Sequence, residues 1–342
     1  MIYINLLIVF LIIVAIHEFG HYLAARIFGA KVTDFSIGFG KPIFQFTDKR
    51  GTNWKISPIP LGGYVKIKGL DSIFQKTQNS EIGSFQSLKL HQQIIILLAG
   101  SFFNIFSAWF VLFSFYFFIG IKSFSPEIGD VLKNSPADKA DIQKGDIIIS
   151  INDIQISKFS DIPIVIGNNT FVSMELIRNN SIINKNLELQ FDNKLNRKII
   201  GITSTSNLII ERFDIIKSIK QSFIFIPNYY YQSFSFLIKS FNDNTITSQL
   251  AGPIGIVKMA DQMMLDKLTG VLLLFIVISL FVGLFNLFPI PLLDGGHIVY
   301  FIISKIFSNS LPEFVTKIYL VIGITIISFL FIIVTLNDIF YK

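Results

Sequence analysis

Apolar residues along this chain gather into four runs, and polar positions gather between them. The runs cover residues 2–28, 94–121, 268–293 and 318–337. Crossing about 30 Å of hydrocarbon takes ~20 helical residues, so each run is long enough to span a bilayer. Residues 2–16 hold no charge, and neither do 94–121, 268–293 or 318–337. Between the runs the period changes. Residues 29–93 show short β-like alternations broken by Gly and Pro. Residues 122–206 alternate short apolar strands (147–151, 172–177, 187–191) with turns, as a separate soluble domain does. Residues 207–267 form a connector rich in Phe, Tyr and Ile, in which 215–225 and 229–241 have amphipathic spacing on either side of Pro227. The last segment, 298–342, supplies a loop and the fourth run. The pattern predicts a polytopic α-helical membrane protein of about four transmembrane helices, with a membrane-associated β element and one inserted soluble domain.

Composition agrees. Of 342 residues, 51% are hydrophobic and 15% charged, against about 25% charged in soluble domains. No basic stretch precedes the first run, so it reads as a retained span rather than a cleaved signal peptide. Residues 29–93 carry nine Lys/Arg and four Asp/Glu, whereas 122–267 carry sixteen and fifteen. The positive-inside rule places 29–93 in the cytoplasm and 122–267 and the C-terminus outside. Lys305 and Lys317 fit that placement. The net charge of +6 therefore speaks to topology, and no nucleic-acid partner is expected.

The chain has no Cys and four His, at 17, 21, 91 and 297. A metal would have to use imidazole, carboxylate or carbonyl ligands. Residues 16–22 read Ile-His-Glu-Phe-Gly-His-Tyr, at the end of an uncharged run. On a helix, His17 and His21 share one face, where two imidazoles can hold one Zn²⁺ and Glu18 can reach a water beside it. Burying an unpaired Glu in lipid costs several kcal/mol, so an accidental motif is disfavoured here.

A catalytic zinc usually takes a third protein ligand. Asp294 is the acidic residue at the end of segment 268–297, and Pro289, Pro291, Gly295 and Gly296 break the helix around it. His297 is its rival. Counting crossings puts His17, His21 and Asp294 on the same, cytoplasmic, side. Asn104 reads as an interhelical hydrogen-bonding residue, Asn286 as that or a substrate-positioning group, and His91 as a solvated side chain. The β-like region 29–93 is either a plain cytoplasmic hairpin or a sheet whose edge pairs with an extended peptide.

Residues 135–148 resemble the signature of PDZ domains, with Asp141 where that pattern usually has Gly. His17-Glu18-Phe19-Gly20-His21, Gly38-Phe39-Gly40, Gly62-Gly63-Tyr64-Val65-Lys66, one PDZ-like domain, Ala251-Gly252-Pro253-Ile254-Gly255-Ile256 and residues 286–296 together resemble the site-2 protease family. These are intramembrane zinc metalloproteases, here most like the bacterial regulators of envelope stress response. Gly100-Ser101-Phe102-Phe103-Asn104 departs from the family by Ser101 in place of Pro. The resemblance implies that His17, His21 and Asp294 bind one Zn²⁺ per chain and that Glu18 is the general base. It implies that Gly38, Phe39, Gly40, Gly62, Gly63 and Tyr64 belong to a re-entrant β element that holds substrate, which Asn286 contacts. The implied substrates are single-span membrane proteins trimmed outside by another protease, such as anti-sigma-factor-type regulators, and remnant signal peptides. The PDZ domain would take a peptide or C-terminus, or filter by size. The implied location is the bacterial inner membrane, with that domain periplasmic. A catalytically silent PDZ scaffold would have no use for Glu18 beside three ligands, and a metal-ion transporter would carry more polar residues along its spans.

Overall fold

A computed structural model of the chain describes residues 2–70, 82–192, 197–242, 267–307 and 312–340. The chain forms two compact units, Met1–Ser114 with Ile219–Lys342, and Phe115–Ser218.

In the first unit, helix α1 (Ile2–Ile27) leads into strands β1 (Val32–Phe39), β2 (Phe44–Thr47), β3 (Asn53–Ile56) and β4 (Ile59–Ile67), then helix α2 (Leu90–Ser114). The strands make one sheet in the order β2-β3-β1-β4. It is more than a hairpin, because β1 lies between β3, its parallel partner, and β4, its antiparallel one. The later helices are α3 (Ile215–Asn242), α4 (Lys267–Phe285), α5 (Asp294–Ile306) and α6 (Glu313–Phe340). Among the described residues, four helical stretches are long and apolar enough to cross a membrane: Ile4–Ile27, Leu90–Ile119, Leu268–Phe285 and Glu313–Ile333.

The end of the third span differs from expectation. The third apolar run is helical only to Phe285, so Asp294 opens α5 instead of ending the third span. Pro289 and Pro291 supply no N–H to continue a helix. The break is closed by Gly295 N–H, which donates to the Asn286 carbonyl at 2.8 Å. Leu292 takes a left-handed conformation, φ 79°, a cost the surrounding turn has to offset. Among the described residues of the connector, one helix, α3, runs through Pro227 and joins the two amphipathic stretches. Both halves are held: Phe223 packs on Trp109 before the proline, and Tyr230 Oη donates to the Leu280 carbonyl after it. Residues 251–256, part of the sequence resemblance, lie outside the described residues.

The helices pack at backbone contact. A Cβ on Gly20 of α1 would lie 2.5 Å from the Ala99 carbonyl oxygen of α2. Alongside this seam, Ala24, Ala25, Ile96 and Leu97 form a buried cluster with Val32 and Ile67 of the sheet and Phe301 of α5.

The second unit contains β5 (Ile121–Phe124), β6 (Ile128–Val131), β7 (Ile147–Ile151), β8 (Ile154–Gln155), β9 (Phe171–Arg178), β10 (Ser181–Glu188), β11 (Gln190–Asp192), β12 (Arg197–Ile199), β13 (Ile202–Ser204) and β14 (Leu208–Glu211). Its main sheet runs β10-β9-β7-β8, and β6 pairs with β13. Ile128, Ile148, Ile151, Met174 and Leu176 are fully enclosed in its core. The unit extends past the expected 122–206 because β14 returns to pair with β5. Asp141 adopts φ 53°, the left-handed turn for which Gly was expected and which Asp tolerates.

One buried ion pair braces this unit. Asp146 is 1% exposed and accepts from Arg178 Nε and Nη2, each at 2.7 Å, and from the Gln143 amide. Burial raises the Asp146 carboxyl, but Arg178 and the Gln143 amide outweigh it and hold its pKa below the ordinary value. A depressed carboxylate stabilises the fold above its unfolded pKa, and that contribution is lost as pH falls through the folded one. Arg178→Ala leaves the charge buried and unpaired, at a cost of about 3 kcal/mol at neutral pH. Hydrogen exchange in β7 and β9 should then quicken on the order of 100-fold, and the gap to wild type should narrow in acid. Unchanged exchange at neutral pH would refute this role.

Candidate metal centre

The motif at residues 17–21 sits in the second half of α1, so the i, i+4 spacing does place both imidazoles on one face. That face meets α2. His17 and His21 are each under a tenth exposed. One stripe of α2, Ile96, Gly100 and Asn104, receives them. His21 Nδ1 donates to the Ile96 carbonyl at 2.8 Å. Since a carbonyl only accepts, a proton is on Nδ1, and a ring carrying that single proton presents its Nε2 lone pair inward. Gly100 leaves room for the rings: a Cβ there would fall 2.3 Å from His21 Nε2 and 2.7 Å from His17 Cε1. Asn104, fully buried, places Nδ2 3.3 Å from His17 Nδ1.

Asp294 enters from the N-terminus of α5. Its Oδ2 lies 3.2 Å from His17 Nε2 and 3.4 Å from His21 Nε2, and the two Nε2 atoms are 3.2 Å apart. This Oδ2 is buried with no hydrogen-bond partner. Acceptor atoms this close repel unless they share a proton or a cation. Zinc at 2.0–2.1 Å from tetrahedral ligands needs them about 3.3–3.4 Å apart, so the three atoms fit one face of such a site.

Glu18 lines the same cavity, of about 350 Å³, and the Val65 N–H of β4 donates to its carboxylate. Gly62, Gly63, Tyr64, Asn286 and His297 also line it. Asn286 Nδ2 is 3.5 Å from His17 Nε2. His297 Nδ1 donates to the Leu293 carbonyl at 2.9 Å, within its own helix turn, and the three-atom cluster forms without it. Gly38, Phe39 and Gly40 are not brought to the cavity wall. They lie behind it, with the Phe39 ring stacked 6.2 Å from Tyr64 and packed over Gly62. His91 is exposed. Sequence reasoning missed the Ile96 carbonyl and Gly100, and gave Asn104 a bond between helices without seeing that its partner is a site histidine. The i, i+4 spacing of Gly100 and Asn104 in an apolar helix was the available signal.

A buried two-imidazole, one-carboxylate cluster with a neighbouring Glu, on apolar helices, defines a metallopeptidase-type centre. The chain matches Peptidase family M50 over residues 5–330 and belongs to that family. It is similar to relatives each carrying the name "Putative zinc metalloprotease". One from Rickettsia conorii is 36% identical, covering 96% of this chain and 95% of its own. One from Campylobacter jejuni is 31% identical, covering 94% and 89%, and one from Helicobacter pylori is 33% identical, covering 98% and 97%. The chain is thus a metalloprotease of the site-2 protease family. The PDZ domain of an SdrC-like protein from Listeria monocytogenes is 18% identical and covers 25% of this chain and 94% of its own, with a TM-score of 0.22, a likeness too slight to bear on the fold.

Gly100→Ala puts a methyl group onto both imidazoles. Zinc retained by the purified protein should fall severalfold or more, while Ala99→Gly, its neighbour, keeps the metal. Full zinc content in Gly100→Ala would show that the rings are not seated against α2.

Proposed function

We propose that this metalloprotease hydrolyses peptide bonds inside the bilayer, with one zinc held by His17, His21 and Asp294. The observation that carries the reading is the convergence of these three donors and Glu18 in one cavity of apolar helices. Zinc, when bound, supplies a Lewis acid that acidifies water and polarises a carbonyl. Glu18 takes the proton of the attacking water and passes it to the leaving amine. Val65 N–H orients the Glu18 carboxylate for that transfer. Asn286 Nδ2 donates to the substrate backbone beside His17.

A helical substrate hides its carbonyls and must unwind before it can react. Strand β4 is the edge of its sheet, and its Gly62-Gly63-Tyr64 segment lines the cavity. An unwound segment pairing there regains backbone hydrogen bonds lost on unwinding. Gly38, Phe39 and Gly40 back this edge through the Phe39–Tyr64 contact. Substrates are single-span proteins trimmed outside the membrane, of anti-sigma-factor type, and remnant signal peptides. The second unit is a PDZ domain that receives a peptide or C-terminus. The chain sits in a bacterial inner membrane, with the centre toward the cytoplasm and the PDZ domain periplasmic, a reading the loop charges support.

Glu18→Gln should keep its zinc and lose about 100-fold or more of its cleavage of a single-span substrate in detergent. Equal cleavage by the two proteins would sink the mechanism. Orientation is testable directly, since the chain lacks Cys. An impermeant maleimide should label Lys133→Cys on intact spheroplasts, and Lys49→Cys only after permeabilisation. The reverse pattern would invert the topology.

A further inference from the structure

We infer that Asn104 is a positioning residue for His17: its amide oxygen accepts the His17 Nδ1–H and so holds the Nε2 lone pair toward Asp294 and His21. The inference rests on the metal-centre reading above and adds a residue to it. Asn104 lies wholly inside the protein on α2, and its amide meets His17 Nδ1 at 3.3 Å. As oriented in the structure, Nδ2 faces the ring and Oδ1 is buried with no partner. An amide nitrogen can only donate, so this orientation would make Nδ1 the acceptor and put the ring proton on Nε2. That is the atom 3.2 Å from both Asp294 Oδ2 and His21 Nε2. A ligand nitrogen must be bare. The oxygen and nitrogen of an Asn amide are nearly the same size, and their assignment follows the hydrogen-bond network. Turning the amide half a revolution gives Oδ1 a donor and moves the His17 proton to Nδ1. His17 is then oriented in the same way as His21, whose Nδ1–H is held by the Ile96 carbonyl. Both imidazoles are set by acceptors on one face of α2.

The backbone that carries the amide is held in place: the Asn104 main-chain carbonyl accepts from Ser279 Oγ of α4 at 2.9 Å and from Ser107 Oγ at 2.9 Å. A Cβ on Gly283 would meet the Asn104 Cβ at 3.4 Å, so the two helices confine the side chain. Fixing a ligand's ring nitrogen through a second hydrogen bond commonly changes metal affinity by about 10- to 100-fold.

The test compares Asn104→Leu, of similar size but without an acceptor, with Asn104→Asp, which keeps one. Zinc affinity of the full-length proteins in detergent is measured by competition with a chelator. Asn104→Leu should weaken zinc by about 10- to 100-fold, and Asn104→Asp should stay within a few-fold of wild type. Equal affinity in Asn104→Leu, or equal loss in both, overturns the inference. Nitrogen-15 NMR of His-labelled, metal-free wild type gives a second reading that needs no variant. His17 should be protonated on Nδ1, and protonation on Nε2 overturns the inference. Failure of wild type to bind zinc would instead overturn the metal-centre reading, and the tautomer would still judge Asn104.

Discussion

The structure depends on how closely α1 and α2 approach. Gly20 and Gly100 remove the two side chains that would hold these helices apart, Gly20 against Ala99 and Gly100 against the imidazoles. Within lipid, helices gain little from burying apolar surface against each other, so close packing and interhelical hydrogen bonds have to hold them. Here the same contact does both and also sets the chemistry. The two histidines gather with Asp294 on one side and meet Ile96 and Asn104 of α2 on the other. Moving α2 outward by the width of a methyl group would release both rings.

The other half of the centre is built by interrupting a helix. Continuing α4 past Phe285 would have buried an unbroken apolar rod and left no carboxylate at this depth. Two prolines stop it, and the turn that follows reverses far enough for Gly295 to bond back to Asn286. Because a Cβ on Gly295 or Gly296 would lie within 2.2 Å of the Leu287 or Ile290 carbonyl oxygens, the glycines are what let that turn close. Asp294 then starts a new helix, where a carboxylate is favoured by the helix dipole.

Much of this could be read in the chain. The four apolar runs are long and, apart from Glu18 and Arg26 in the first, uncharged, and hydropathy alone found them. His17, Glu18 and His21 stood out because a charged cluster in such a run is costly. Asp294 stood out for the broken helix around it. What could not be read was pairing between distant segments. Nothing local says that β1 joins β3 in parallel, or that β14 returns to β5. Asn104 is polar in an apolar helix, which signals a bond but not its partner. Pro227 lies between two amphipathic stretches, yet one helix runs through both, with contacts to Trp109 and Leu280 on either side of it.

The three donors lie far apart in sequence, with the whole Phe115–Ser218 unit encoded between them. A nascent chain that ends anywhere before residue 294 carries both imidazoles and Glu18 but lacks the carboxylate that completes the cluster. Translation order therefore delays the centre until the sheet, the inserted unit and α4 have all been made. Helix α1 carries its imidazoles without that carboxylate until residue 294 has been made.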